Sequence, residues 1–214
     1  MALIQSGLDS SLATVDSSGS IYTTIYPNKV IGAYQWSATS GSIAASTAAN
    51  SVLFTLKNGG TNILVLKRLS VGLQVTTAYT KGSLRLSSYI VRTSFTQGAT
   101  NGTLVTLTGN NGKKRTSFPT TTAVGYICTT TGITGDTATG EDTIPFGITN
   151  MDLPASIGNV PVTGLADLCT QLSTEYPIVL AAGEGIRVKN DTAFALTGVS
   201  NLIVNLEYAE VASY

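Results

Sequence analysis

The chain has 214 residues, of which 43% are hydrophobic and only 11% charged, with 12 cations, 12 acids and no histidine. An average soluble domain carries roughly 25% charged residues, so much of this surface is Ser, Thr, Asn and Gly, or is covered by a partner. Without histidine, the commonest general base and the commonest metal ligand are both missing.

The opening run "MALIQSGLDSSLATVDSSGS" has neither a basic start nor a long apolar stretch. It does not read as a secretory signal, and residues 1–19 are expected to form an N-terminal arm ahead of one domain over 20–214. No apolar run approaches the roughly 20 residues of a membrane helix, so the expectation is a protein made in the cytoplasm, with no membrane partner. "IYTTIYP" and "VIGAYQW" alternate as strands do, whereas "SATSGSIAASTAANS" lacks large residues at helical spacing and reads as a loop.

The clearest strands follow. "SVLFTLK" places Val52, Phe54 and Leu56 on one face, and after the turn "NGG" the next run alternates from Leu69 through Val71, Leu73 and Val75. "LRLSSYIVRTSF" also alternates, with a slip of phase at Ser87-Ser88 that predicts a bulge there. The stretch "TLTGNNGKKRTSFPTT" (106–121) ends a strand. Asn110-Asn111-Gly112 then suits positive φ in a tight turn, and Lys113, Lys114 and Arg115 follow with no acid nearby in sequence.

Further on, "TGLADLCTQL" spaces Leu165, Leu168, Cys169 and Leu172 at i, i+3, i+4 and i+7 behind Thr163. This predicts one short helix near 164–173. "PIVLAAGEGIRVKND" reads as two strands around a Gly-flanked turn, with Ile186 and Val188 alternating against Arg187 and Lys189. "LIVNLEYAEV" closes the chain with Leu202, Val204, Leu206 and Tyr208 on one face. About nine short strands with Gly-, Asn- and Ser-rich turns predict an all-β fold, an antiparallel β-sandwich with the jelly roll as leading candidate.

No catalytic constellation emerges. Ser and Thr abound, but the usual activating base is absent. Asp136, Glu141 and Asp142 share one loop that could offer oxygen ligands to calcium, without EF-hand spacing. The glycines around Asn110 lack P-loop spacing. Cys128 and Cys169 have no zinc-type spacing; they read as buried small hydrophobes, with a single disulfide as the other option. The expectation is a protein that is not an enzyme and has no cofactor.

Charge order says more than charge total. Between Ser17 and Gly135 there is no acid but ten cations, and from Asp136 onward there are ten acids against Arg187 and Lys189. Either the blocks neutralise each other within one fold, or a basic face of one copy meets an acidic face of the next. The latter option predicts a homo-oligomer, a trimer being the first choice. The cations are too dispersed, and too poor in neighbouring aromatics, to suggest a nucleic-acid partner.

Five stretches taken together resemble a known group. They are "GAYQWSATSGSIAASTAANSVLFTLK", "LVLKRLSVGLQVTTAY", "GTLVTLTGNNGKKRTSF", "YPIVLAAGEGIRVKN" and a closing strand ending in "EYAEV". The chain looks like tailed-bacteriophage virion structural proteins of the capsid decoration (cement) type, from about Ser10 to Val211. "LTGNNGKKRTSF" and "PIVLAAGEGIRV" are its most specific pieces. The resemblance implies a place on the capsid surface of a virion, with the major capsid protein as partner. A major shell protein is disfavoured, since no long helix is evident. A tail or receptor-binding component is the alternative, and a host adhesin the third. The expected protein interface is Lys113, Lys114 and Arg115, with Asn110 and Asn111 shaping the turn; Arg115, able to hold a carboxylate by two hydrogen bonds, is its best candidate for a specific contact.

Overall fold

In a computed structural model, residues 30–155, 165–170 and 177–212 are described; the expected arm over 1–19 and the run 21–27 lie outside the described residues. Twelve strands and no helix are found among the described residues. They are β1 (Val30–Thr39), β2 (Ser51–Asn58), β3 (Ile63–Thr77), β4 (Gly82–Thr96), β5 (Gly102–Val105), β6 (Ala123–Cys128), β7 (Thr137–Glu141), β8 (Gly147–Leu153), β9 (Ala166–Thr170), β10 (Ile178–Leu180), β11 (Gly185–Asn190) and β12 (Val199–Val211).

All pairings are antiparallel and form two sheets. The smaller runs β1-β12-β3, with β9 and β10 sharing the far edge of β3; the larger runs β5-β6-β2-β11-β4, with β7 and β8 sharing the far edge of β4. Strand by strand, β1 pairs with β12, β2 with β11, β3 with β9 and β10, and β4 with β7 and β8. The early strands therefore form one arm of a long antiparallel ribbon and the late strands the other. Rolling that ribbon drops successive pairs into opposite sheets, which is a jelly roll. The β5–β6 hairpin is inserted between the arms and widens the larger sheet beyond β2.

Strand periodicity explains the core. Tyr34 and Trp36 of β1, Leu69 and Val71 of β3, and Leu202, Val204, Leu206 and Tyr208 of β12 line one inner face. Phe54 and Leu56 of β2, Leu84, Leu86 and Ile90 of β4, and Ile186 and Val188 of β11 line the other. Each large apolar side chain buried in this way contributes roughly 1.5–3 kcal/mol. Trp36 meets Phe54 across the interface, their ring centroids 6.0 Å apart. The alternation of β3 begins at Leu69 because Lys67 is an extra residue opposite the Glu207/Tyr208 step, so Leu64 and Leu66 point inward on the other phase.

Two expectations need correcting. The i, i+3, i+4, i+7 segment is not helical where it is described: β9 pairs with β3 from Val71↔Ala166 to Arg68↔Thr170, and residues 164 and 171–173 lie outside the described residues. The edge of β3 offers a row of unpaired backbone groups, and a ladder there outweighs weak helical spacing. A bulge on β9 makes the helical spacing deceptive: Leu168 is the extra residue and points into the core, while Asp167 turns outward to Arg68. The bulge in β4 lies between Val91 and Ser94 opposite β7, not at Ser87-Ser88, where pairing to β8 and β11 is continuous. Ser88 sits in phase with Leu86 and Ile90, and a small polar residue at a core position imitates a slip. The two strands expected in "PIVLAAGEGIRVKND" are found, as β10 and β11 on either side of a turn. β10 belongs to the smaller sheet and β11 to the larger, so the turn at 181–184 carries the chain across the sandwich.

Candidate interaction surfaces

The stretch 106–122 is the loop of the inserted β5–β6 hairpin, and it crosses from the larger sheet to the edge of β1 that faces away from β12. Leu107 anchors its start in the core. The left-handed positions are the glycines, Gly109 (φ +64°) and Gly112 (φ +73°), rather than Asn110 or Asn111. A Cβ on Gly112 would lie 3.1 Å from Trp36 Cδ1, so the backbone needs glycine for its close approach as well as for its φ. Gln35 N donates to the Gly112 carbonyl at 2.7 Å and Lys114 N to the Ala33 carbonyl at 2.9 Å, on either side of a Tyr34–Lys113 bridge. These bonds cover the β1 edge, which would otherwise be open to pairing.

Beyond the cations, the loop is fastened by a buried polar group. Tyr34 and Tyr208 stack with ring centroids 5.2 Å apart. Tyr34 Oη donates to the Pro119 carbonyl at 3.1 Å, Thr121 Oγ1 lies 2.8 Å from Tyr208 Oη, and Glu210 accepts from Thr121 Oγ1 (2.6 Å) and Thr122 N (2.8 Å). Burial, aided by the Glu210 carboxylate, pushes the Tyr34 hydroxyl well above the usual tyrosine range; burial pushes Tyr208 up to about 12, although its bonds to Thr121 and Trp36 oppose the shift.

The expected site residues are thus held against a sheet edge. Asn110, Asn111, Lys114 and Arg115 are exposed and Lys113 is half-buried. Lys114 is bonded to Glu207, which lies 93 positions away, while no described carboxylate pairs with Lys113 or Arg115. Lys114 and Arg115, with Lys67 and Glu207, line a cleft of about 450 Å³ whose apolar wall includes Val30 and Phe118. Counting these four side chains, three cations face one acid.

The charge blocks meet within the chain. Arg68–Asp167, Arg85–Asp191, Arg92–Asp142 and Lys114–Glu207 each join the acid-free segment to the acid-rich one. The jelly roll brings the two blocks together, because early strands pair with late strands. The three acids expected in one loop instead flank and end a strand, Asp136 before β7, Glu141 as its last residue and Asp142 after it, because 137–141 pairs with the edge of β4; they do not converge on one point. Asp142 holds Arg92, Asp136 lies 2.7 Å from Arg187, and Glu141 bonds both Arg187 and Lys189. Cys128 is buried and Cys169 half-buried, and neither is in a disulfide. Burial pushes the Cys128 thiol up to about 12.

A second cleft, of about 550 Å³, opens on the larger sheet between residues 45–52 and residues 131–136, with Asp136 and Arg187 in its lining. Sequence reading passed over it. Its walls come from a Ser/Ala-rich loop and a Thr/Gly run, and neither carries a chemical signature.

No family model, no curated protein and no solved structure matches the chain. The site geometry therefore stands alone as evidence for function.

Proposed function

We propose that the protein is a non-enzymatic structural component of a tailed-phage virion, a decoration protein that sits on the outside of the head and bridges shell subunits. The observation that carries this reading is the cationic cleft at the loop 106–122. That loop is fastened to the β1 edge around Lys113 and to Glu210 at its other end, and between these points it displays Arg115 beside Lys114. Cations on a fixed backbone lose less entropy on binding than cations on a free loop. Their complement is an acidic surface, which charge would steer into register more than it would hold. The jelly-roll fold, common among capsid proteins, supports the same role.

In this role the protein is a homo-oligomer, proposed as a trimer. Charge does not lead its self-association, because the two blocks already meet within one chain; the subunit contacts would rest on the apolar and hydroxyl surface instead. A monomer mass by light scattering at low salt and high concentration would remove solution oligomerisation from the proposal.

Co-sedimentation with undecorated heads tests the docking surface. Replacing Lys113, Lys114 and Arg115 together by Ser should keep the fold, weaken attachment at low salt and flatten its salt dependence. Equal binding by parent and variant across salt concentrations would make the loop a solvated edge cover. A tail or receptor-binding place is the second reading, favoured by the hydroxyl-lined second cleft. A label on purified particles, seen by electron microscopy at the head or at the tail tip, separates the two.

A further inference from the structure

The second cleft combines a rigid frame with unused hydrogen-bonding groups. Its frame is pinned by main-chain bonds: Ala44 N to the Thr130 carbonyl (2.7 Å), Ser46 N to Ala195 (3.0 Å), Ile133 N to Val52 (2.7 Å) and Thr134 N to Thr100 (3.0 Å). Ser46 and Asn50, both lining residues, hold positive φ of 59° and 61° without being glycine. Conformations of that kind persist only where the surroundings impose them. Within this frame the side chains of Asn50, Thr131 and Thr134 are exposed and make no hydrogen bond among the described residues.

The charged end of the cleft is an ion pair. Asp136, its side chain only 8% exposed, has Oδ2 at 2.7 Å from Arg187 Nη2, and that oxygen and Arg187 Nε are closed off from solvent. The rest of the lining is neutral. The surrounding carboxylates and cations balance, Asp136 and Glu141 against Arg187 and Lys189.

We propose that this cleft binds a neutral polyhydroxylated ligand, a saccharide. A volume of about 550 Å³ falls within the roughly 300–1,000 Å³ of small-molecule sites. Balanced charge gives no advantage to an anion or a cation. A hydroxyl both donates and accepts, and so matches Thr131, Thr134 and the Asn50 amide. An extended peptide fits less well, because the amides of residues 44, 46, 133 and 134 are spent within the chain and offer no ladder to an added strand. Among the described residues no aromatic ring lines the cleft to stack on a sugar face, so a single ring binds weakly, with a dissociation constant on the order of 1 mM. The inference rests on the cleft alone and stands or falls independently of a place on the virion.

The test is a titration of the ¹⁵N-labelled full chain with glucose, galactose, mannose and N-acetylglucosamine, with glucuronate and glucosamine as charged counterparts. At least one neutral sugar should shift the amides of 45–52 and 131–136 and leave the rest of the spectrum in place. The same sugar should bind the variant Thr131→Ala with Thr134→Ala about fivefold more weakly for each hydroxyl removed. Both residues are exposed, so the variant's spectrum elsewhere should match the parent's. The proposal is overturned if no neutral sugar moves these amides, if the double variant binds as tightly as the parent, or if the charged sugars bind better than the neutral ones.

Discussion

The side-chain amide of Asn58 donates to the Leu180 carbonyl at 2.9 Å across 122 positions of sequence. The same amide reaches the Asn62 carbonyl at 2.6 Å, and its oxygen accepts from Gly60 N at 3.2 Å. Main-chain bonds from Asn58 N to Glu184 and from Gly183 N to Asn58 complete the join. One buried residue thereby ties the β2–β3 turn to the β10–β11 turn, the two places at that end where the chain changes sheet. Asn58→Ala should destabilise the fold by about 1–3 kcal/mol, since it leaves buried carbonyls without a donor. Urea unfolding checks this, and a loss below about 0.5 kcal/mol would show that the turns hold without the tie.

Alkaline pH should unfold the protein through its buried tyrosines. Burial raises Tyr34 and Tyr79, and Tyr208 to about 12, so each ionises more readily in the unfolded chain than in the folded one. Stability is then unaffected by these groups below about pH 10 and falls as pH rises toward 12. Denaturant midpoints across that range should decline, and Tyr208→Phe should flatten part of the decline while lowering stability near neutrality. A flat profile above pH 10 would contradict the burial of these hydroxyls.

The β9 strand makes a prediction that a helix would not. Ser70 Oγ bonds Asp167, and Arg68 holds the same carboxylate through Nε and Nη2 at 3.1 and 3.2 Å. The Ser70 bond first, and then Arg68, keep the Asp167 carboxyl below its ordinary range. The stabilisation is present above the unfolded carboxyl's range and is lost as pH falls through the lowered one. Carboxyl titration by NMR should place Asp167 below the ordinary aspartate range, and Ser70→Ala should move it back up. An Asp167 unaffected by that change would mean that 166–170 does not pair with β3.

Gly147, at the start of β8, tests the crossing of the two sheets near Leu168. A Cβ there would collide with the Leu168 carbonyl, which is backbone and cannot swing away. Gly147→Ala should cost about 1–3 kcal/mol by overpacking. Thermal melting of the variant checks it, and an unchanged midpoint would place β9 farther from β8.

The reach of sequence reading here follows the range of the interactions. Alternation along a strand is local, so the inner face of β12 and the opposed faces of β11, with Ile186 and Val188 against Arg187 and Lys189, could be read directly from residue order. The all-β class and the sandwich followed from the same pattern. Where local pattern and long-range pairing compete, pairing prevails. Residues 166–170 carry helical spacing and form a strand, because the edge of β3 has backbone groups to satisfy. The basic and acidic blocks were plain in the chain, but whether they meet within one molecule depends on which strands pair. The jelly roll answers that, by laying Arg85 beside Asp191 and Lys114 beside Glu207. The second cleft was least legible of all. Asn50, Thr131 and Asp136 share no motif, and only the closing of two loops over Arg187 brings them to one place.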